Sequence, residues 1–175
     1  SGEAVIRISP IFTLDLNKQN NRSMRESEEI IKLGIRIVSG NSVFVDNGTP
    51  FFTGVGPCIF LIIHNIDTRN TFVAHSVASK LEKLFETINN SVSKMGNGPE
   101  IKVIVGGASL NDQDLVGSLD GNATQLSNRK RIINYLCQNG LRDIESIFPE
   151  VADTSVHIEF DPEASKARYC FGYPP

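Results

Sequence analysis

The chain has 175 residues, a formal net charge of -3 and a sequence pI of about 5.6, with 40% hydrophobic and 21% charged residues. This composition is ordinary for a single globular domain, and the acidic balance argues against nucleic acid as the main partner. No apolar run approaches the roughly 18 residues that a membrane-spanning helix needs, so we expect no membrane span.

The first 42 residues predict little regular structure. Residues 3–16 alternate apolar and polar side chains, which is typical of one or two strands. Residues 17–28 are rich in Asn, Ser and Arg and predict an exposed loop, while residues 29–38 fit a short helix and a strand about equally. We expect residues 1–42 to be an N-terminal extension or leader strands and residues 43–175 to be the catalytic domain.

The middle of the chain predicts a β-hairpin followed by a helix. A short strand is expected at 42–45, and two β-rich runs, 58–64 and 71–75, flank a polar turn. That arrangement is typical of an antiparallel hairpin. Apolar residues then recur at helical spacing from about 77 to 93, and a continuous apolar run at 101–105 predicts a strand.

The C-terminal third predicts a second helix and a terminal pair of strands. A polar loop at 111–124 precedes the helix, which Ser127 or Asn128 is expected to cap. Strand-like runs follow at 155–160 and 167–171. Together these elements predict an α/β domain of mostly antiparallel sheets with two main helices.

Cys58 is the first candidate for chemistry. It follows a glycine-rich segment, predicted to be a turn, and begins an apolar strand, so its thiol is expected at a strand end where a substrate can approach. The alternative is a buried cysteine that acts only as a small hydrophobic residue. The three cysteines and three histidines show no spacing typical of a metal site, so we predict no metal and no cofactor.

His75 is the second candidate. It closes the second strand of the hairpin, 17 positions after Cys58, and antiparallel pairing brings the two residues near each other. An imidazole beside a thiol can take its proton and return it later in the reaction. The alternative is a partly buried structural histidine. His64 is expected at the hairpin turn, as a surface residue.

Three short motifs occur along the chain in a fixed order. They are Gly-Val-Gly-Pro-Cys at residues 54–58, Ala-His at 74–75 and Val-Gly-Gly-Ala-Ser-Leu at 105–110. Together they resemble the CheD family of chemoreceptor glutamine deamidases, and the resemblance spans roughly residues 43–171. The same catalytic core is shared by toxins of the cytotoxic necrotizing factor type.

The resemblance implies a three-layer α/β/β sandwich and a protein glutamine deamidase with Cys58 as nucleophile and His75 as base. It implies a protein substrate that carries the target glutamine, a regulatory protein partner, and a cytoplasmic location, or secretion into a host cell for an effector. Alternatives are a toxin deamidase or transglutaminase, and a binding module without catalysis. Five residues are expected to line the substrate cleft: Gly56, Gly106, Gly107, Ala108 and Ser109.

The third catalytic position departs from the family pattern. The family has a threonine six residues before the cysteine, where this chain has Phe52, and Thr53 follows one step later. In a regular strand those two side chains point to opposite faces. Either a shift of register brings Thr53 to His75, or a backbone carbonyl orients the imidazole in its place.

Overall fold

The computed structural model describes residues 10–18, 22–25, 34–113 and 121–172. The described part contains two α-helices, α1 (Leu81–Met95) and α2 (Asn122–Gln138), with a 3₁₀ turn, Ala78–Lys80, directly before α1. Its strands are β1 (Ile11–Asp15), β2 (Arg22–Arg25), β3 (Ile35–Arg36), β4 (Ser42–Val45), β5 (Phe51–Val55), β6 (Ile59–Asn65), β7 (Thr71–Ser76), β8 (Ile101–Gly107), β9 (Ile144–Ile147), β10 (Val156–Asp161) and β11 (Lys166–Phe171).

These strands form two sheets. The six-stranded sheet has the order β2-β1-β11-β10-β5-β3, and the five-stranded sheet has the order β4-β7-β6-β8-β9. Neighbouring strands are antiparallel except for β3 with β5 and β8 with β9, which are parallel. The predicted α/β class with two main helices and mostly antiparallel sheets is therefore confirmed, and so is the hairpin of β6 and β7. The three-layer order stays a prediction.

Strand β6 explains how the elements pack, because all seven of its residues are buried. Successive side chains of a strand point to opposite faces. Phe60 and Ile62 join a core shared with the six-stranded sheet, whereas Ile59, Leu61 and Ile63 join a core shared with both helices. Burial of each large apolar side chain contributes about 1.5–3 kcal/mol, so β6 anchors both cores.

The N-terminal predictions are corrected in part. Residues 22–25, expected to be loop, form β2 and pair with β1, because paired strands satisfy each other's backbone groups. Of the ambiguous segment 29–38, the described residues 35–36 are a strand; residues 1–9 and 29–33 lie outside the described residues. The predicted boundary after residue 42 stays a prediction, although β1 and β3 pair with strands that follow it.

Two further strands and one helix boundary differ from the sequence predictions. Residues 53–55, interpreted as part of a glycine-rich turn, belong to β5, and β9 was not predicted. Helix α2 begins at Asn122 rather than near Asn128. Its first turns bury the polar side chains of Gln125 and Asn128, so the apolar periodicity becomes visible only later in the helix. Both terminal strands, β10 and β11, were predicted correctly.

Candidate functional site

Cys58 lies in the short connection from β5 to β6, at the edge of the core between the two sheets. Its side chain is half-buried and packs against that core. In the β6–β7 ladder Phe60 pairs with His75, and Cys58 precedes Phe60 by two positions. Cys58 therefore lies toward the same end of β6 as His75, and it packs against the same core as Phe60.

The backbone around Cys58 is held by three hydrogen bonds, one to each consecutive carbonyl. Such fixation limits how far the thiol can move relative to the surrounding groups. The bonds are Ser109 N–H to Gly56 O (3.1 Å), Gln125 Nε2 to Pro57 O (2.9 Å) and Ala108 N–H to Cys58 O (2.8 Å).

The thiol itself makes a long contact. Its Sγ atom lies 3.9 Å from Ser39 Oγ, and no hydrogen bond joins Sγ to the His75 imidazole among the residues that the structure describes. Catalytic hydrogen bonds are often long or poorly aligned in ligand-free sites and shorten when substrate binds. The arrangement therefore brings thiol and imidazole to the same end of the sheet without a direct bond.

The His75 imidazole is fixed from the other sheet. Its Nδ1 lies 2.9 Å from Thr53 Oγ1 and 3.3 Å from the carbonyl oxygen of Ile37. The Thr53 hydroxyl donates its single proton to that same Ile37 carbonyl, at 2.8 Å. Thr53 Oγ1 must then accept a proton from His75, so the proton lies on Nδ1 and Nε2 keeps its lone pair. A neutral imidazole with a free Nε2 is the form that a general base requires.

Burial sets the charge state of this imidazole. His75 is 8% exposed. Its pKa is lowered from the ordinary 6.5 by burial; the hydrogen bond to the Ile37 carbonyl raises it, and the charge of Arg36 lowers it further. His75 is therefore neutral at neutral pH, in the tautomer that its hydrogen bonds select.

Replacement of Arg36 with glutamine should raise the pKa of His75. The substitution removes a positive charge that disfavours the imidazolium. Because Arg36 is exposed, solvent screens its charge, and we expect a small upward shift of the His75 pKa that shrinks at high salt. An NMR titration of the His75 ring in both chains measures it. An unchanged or lower pKa in the variant would show that Arg36 does not act on this ring.

Thr53 reaches His75 without any shift of register. Within β5 the side chains of Phe51, Thr53 and Val55 are buried, and the ladder with β10 is continuous. Phe52 points to the other face, as its alternate position requires. The sequence analysis gave a threonine hydroxyl and a backbone carbonyl as alternative partners of the imidazole. Both contact it, through the same atom, His75 Nδ1.

The end of β8 lies beside Cys58. Added Cβ atoms at Gly106 and Gly107 would meet backbone oxygens at 2.4 and 2.3 Å, those of Ile147 and Cys58 respectively. Close backbone packing is therefore sufficient to explain both glycines. The predicted substrate-lining role of Gly56, Gly106, Gly107, Ala108 and Ser109 stays a prediction.

Helix α2 supplies polar residues that the sequence analysis did not select. Gln125 and Asn128 are buried, and Asn128 Nδ2 donates to Gln125 Oε1 at 3.3 Å. Arg129 donates to the carbonyl oxygen of Ala108 through Nε and Nη2, at 3.1 and 2.8 Å. The available signal was that Gln125 and Asn128 continue the buried stripe of α2 at helical spacing.

His64 is buried, and its predicted surface position is wrong. Its ring bonds Thr71 Oγ1 through Nδ1 (2.8 Å) and Ser165 Oγ through Nε2 (2.7 Å), and it is 0% exposed. Ser165 belongs to the turn between β10 and β11, so the second sheet covers the end of β6. The network joins the two sheets at the end away from Cys58.

Neither a metal site nor a membrane span is found in the part of the chain that the structure describes. Its His, Cys, Asp and Glu side chains form no group of three or more that could hold a metal ion. Neither helix is long and apolar enough to cross a membrane. A cytoplasmic location and a regulatory protein partner stay predictions.

Comparisons with known proteins give distant structural likenesses. No family model and no curated protein matches the chain. Two of the matching solved structures are the hypothetical protein YfiH of Bacillus licheniformis (11% identity, TM-score 0.43) and protein NMB0706 of Neisseria meningitidis, described under the family model DUF152 (12% identity, TM-score 0.40). They cover 75% and 77% of this chain, which in turn spans 60% and 64% of theirs.

These matches correct the family assignment. The neighbours are YfiH and DUF152 proteins, so the assignment to the CheD family is wrong. The protein glutamine deamidase, its chemotaxis or effector role, the toxin and transglutaminase alternatives, and the glutamine-bearing substrate depended on that assignment and are withdrawn with it. The motifs that suggested the family include glycines that packing alone explains, which reduces their diagnostic value.

Proposed function

We propose that Cys58 is the nucleophile of an acyl-transfer site, with His75 as its base and Thr53 as the residue that orients the imidazole. The observation that carries the proposal is the 2.9 Å contact between Thr53 Oγ1 and His75 Nδ1. That contact selects the Nδ1–H tautomer and leaves Nε2 as the proton acceptor, at the end of the sheet where Cys58 lies.

The reaction begins when His75 Nε2 takes the Sγ proton and Sγ attacks the carbonyl carbon of an acyl donor. A C–S bond forms, the bond from that carbon to the leaving group breaks, and the leaving group takes the proton from His75. An acceptor nucleophile then gives its proton to His75 and attacks the acyl carbon. The departing Cys58 thiolate recovers that proton, and the site returns to its starting state.

An ester is the acyl donor on which we test the proposal. Esters and thioesters are more electrophilic than amides because their carbonyls have less resonance stabilisation.

Incubation of the chain with 4-nitrophenyl acetate should acetylate Cys58 rapidly. The ester supplies a reactive carbonyl, and the reaction releases coloured nitrophenolate that reports the rate. Peptide mass spectrometry locates the acetyl group. Replacement of Cys58 with alanine should remove the fast phase, because the chain then lacks the nucleophile.

Replacement of Cys137 with alanine is the matched control. Cys137 is also a half-buried free cysteine, and it lies near the C-terminal end of α2. That variant should keep the fast phase. Acetylation of Cys137 in preference to Cys58, or a Cys58 rate no higher than that of free cysteine at the same pH, would overturn the proposal.

For the fold, we propose the three-layer order of helices, five-stranded sheet and six-stranded sheet. The two hydrophobic cores support it, since one contains residues of both sheets and the other contains residues of the five-stranded sheet and both helices. The proposed site would then lie at one end of the interface between the sheets.

A further inference from the structure

Only one of the two hydrogen bonds expected between Cys58 and Ala108 is formed where the ladder of β6 and β8 ends. The regular register ends with Ile59 opposite Gly107, so the next pair would be Cys58 with Ala108. In an antiparallel hydrogen-bonded pair each residue donates to the carbonyl of the other. Here Ala108 N–H donates to Cys58 O at 2.8 Å, but the reciprocal bond from Cys58 N–H to Ala108 O is not formed.

Arg129 accounts for the missing bond. Its guanidinium donates twice to Ala108 O, from Nε at 3.1 Å and from Nη2 at 2.8 Å, and a third time to Pro149 O at 3.0 Å. The guanidinium also lies over the Phe148 ring, with 5.2 Å between Cζ and the ring centroid. Arg129 is thus held in place, and it occupies the carbonyl that would otherwise accept from Cys58.

The backbone of β8 turns away at the same point. Gly107 has φ of 93° and Ala108 has φ of 48°, which is the left-handed region that an alanine rarely adopts. Ala108 is also fully buried. A strained and buried residue persists only where its surroundings determine its conformation, and the two bonds from Arg129 to its carbonyl are part of those surroundings.

Gln125 fixes the peptide group on the other side of the Cys58 nitrogen. Its Nε2 donates to Pro57 O at 2.9 Å and lies 3.3 Å from Ser109 O, and Gln125 is fully buried. No peptide bond in the described chain is cis, so the Cys58 N–H points away from the carbonyl that Gln125 holds. No described residue accepts a hydrogen bond from this N–H.

An unpaired N–H on the nucleophile residue has a direct use in acyl transfer. When Sγ attacks a carbonyl, the carbonyl oxygen becomes an oxyanion attached to the carbon that Sγ has bonded. The N–H of the nucleophile residue is a common donor to such an oxyanion, and it stabilises the transition state more than the ground state. A donor already committed to Ala108 O could not serve in this way.

We infer that Gln125 and Arg129 are positioning residues that keep the Cys58 N–H available as an oxyanion donor. This inference rests on the proposed acyl-transfer function and deepens it. Neither residue touches the reacting atoms: Arg129 diverts the competing acceptor, and Gln125 sets the direction of the peptide group.

Two reactions of the same thiol separate this role from a general structural one. Acetylation by 4-nitrophenyl acetate passes through an oxyanion, whereas alkylation by iodoacetamide is a displacement at a saturated carbon and does not. Gln125→Leu and Arg129→Gln should therefore lower the acetylation rate of Cys58 by about 10-fold or more and leave its alkylation rate within about twofold, since loss of one oxyanion donor costs up to about 10²–10³.

Arg131→Gln is the matched control. Arg131 lies on the same helix, pairs with Glu82 at the surface, and should affect neither rate. Arg129→Lys keeps a donor for Ala108 O and should recover part of the acetylation rate. Circular dichroism confirms that each variant is folded, and Gln125→Leu provides the test if Arg129→Gln is not.

The results distinguish this inference from the proposed function. Equal losses of acetylation and alkylation, or no loss of either in the folded variants, would overturn the positioning role and leave the nucleophile assignment standing. Failure of Cys58 to be acetylated in the unsubstituted chain would overturn the proposed function and this inference together.

Discussion

Replacement of His75 with glutamine should slow the acetylation of Cys58 by about 10²–10⁴-fold at neutral pH, the range that general acid–base catalysis typically contributes. The variant loses the Nε2 lone pair that takes the Sγ proton. A glutamine amide can still donate to Thr53 Oγ1, so the hydrogen bond across the two sheets can be kept. The release of nitrophenolate measures the rate.

Two variants complete the test of His75. Thr53→Val removes the hydroxyl that selects the tautomer but leaves the Ile37 carbonyl in contact with Nδ1, so we expect a smaller loss. His157→Gln makes the same histidine-to-glutamine change on β10. His157 lies on the face of that strand that points away from the core between the sheets, so the rate should be unchanged. A His75→Gln chain that reacts as fast as the unsubstituted chain would show that the imidazole takes no part in proton transfer.

Acidification should destabilise the fold through His64. Burial, followed by the charge of Arg69, lowers the pKa of His64 from 6.5 to about 4. The Thr71 hydroxyl donates to the carbonyl of Arg69 at 3.0 Å, so it accepts from His64 Nδ1, and Nε2 accepts from Ser165. Arg69 donates to the same Ser165 hydroxyl. The network requires a neutral ring, which a second proton would disrupt.

The direction of the effect follows from proton binding. Between pH 6.5 and about 4 the unfolded chain carries a proton on His64 that the folded chain does not, so stability falls as the pH is lowered through that window. The stabilisation is fully present above 6.5 and is lost by about pH 4. A shift of this size corresponds to roughly 3 kcal/mol of unfolding free energy.

Urea unfolding of the unsubstituted chain and of His64→Gln, at a series of pH values, isolates this residue. The glutamine cannot titrate, so the advantage of the unsubstituted chain should shrink by roughly 3 kcal/mol between pH 7 and pH 4. The comparison cancels other titrating groups, such as Glu159, whose pKa burial raises. Parallel stability curves would show that His64 does not set the acid sensitivity.

Elements with local signals could be predicted from the amino-acid sequence. The hairpin of β6 and β7, helix α1 and the pair β10–β11 follow from apolar periodicity and polar turns within short stretches. The register of that hairpin pairs Phe60 with His75, and it supports the prediction that Cys58, two positions before Phe60, lies near the imidazole. Short motifs in order did not determine the family, since close backbone packing is sufficient to explain glycines in one of them.

Contacts between residues that are distant in the sequence could not be predicted in this way. The contacts of His75 with Thr53 and Ile37, of Gln125 with Pro57, and of His64 with Ser165 join residues that are between 22 and 101 positions apart. Period-2 alternation indicates which side chains of a strand point inward, but not which inward residues of another sheet they meet. That choice depends on how the sheets and α2 pack to bury their apolar faces, and it assigns His64 to a buried network and His75 to the candidate site.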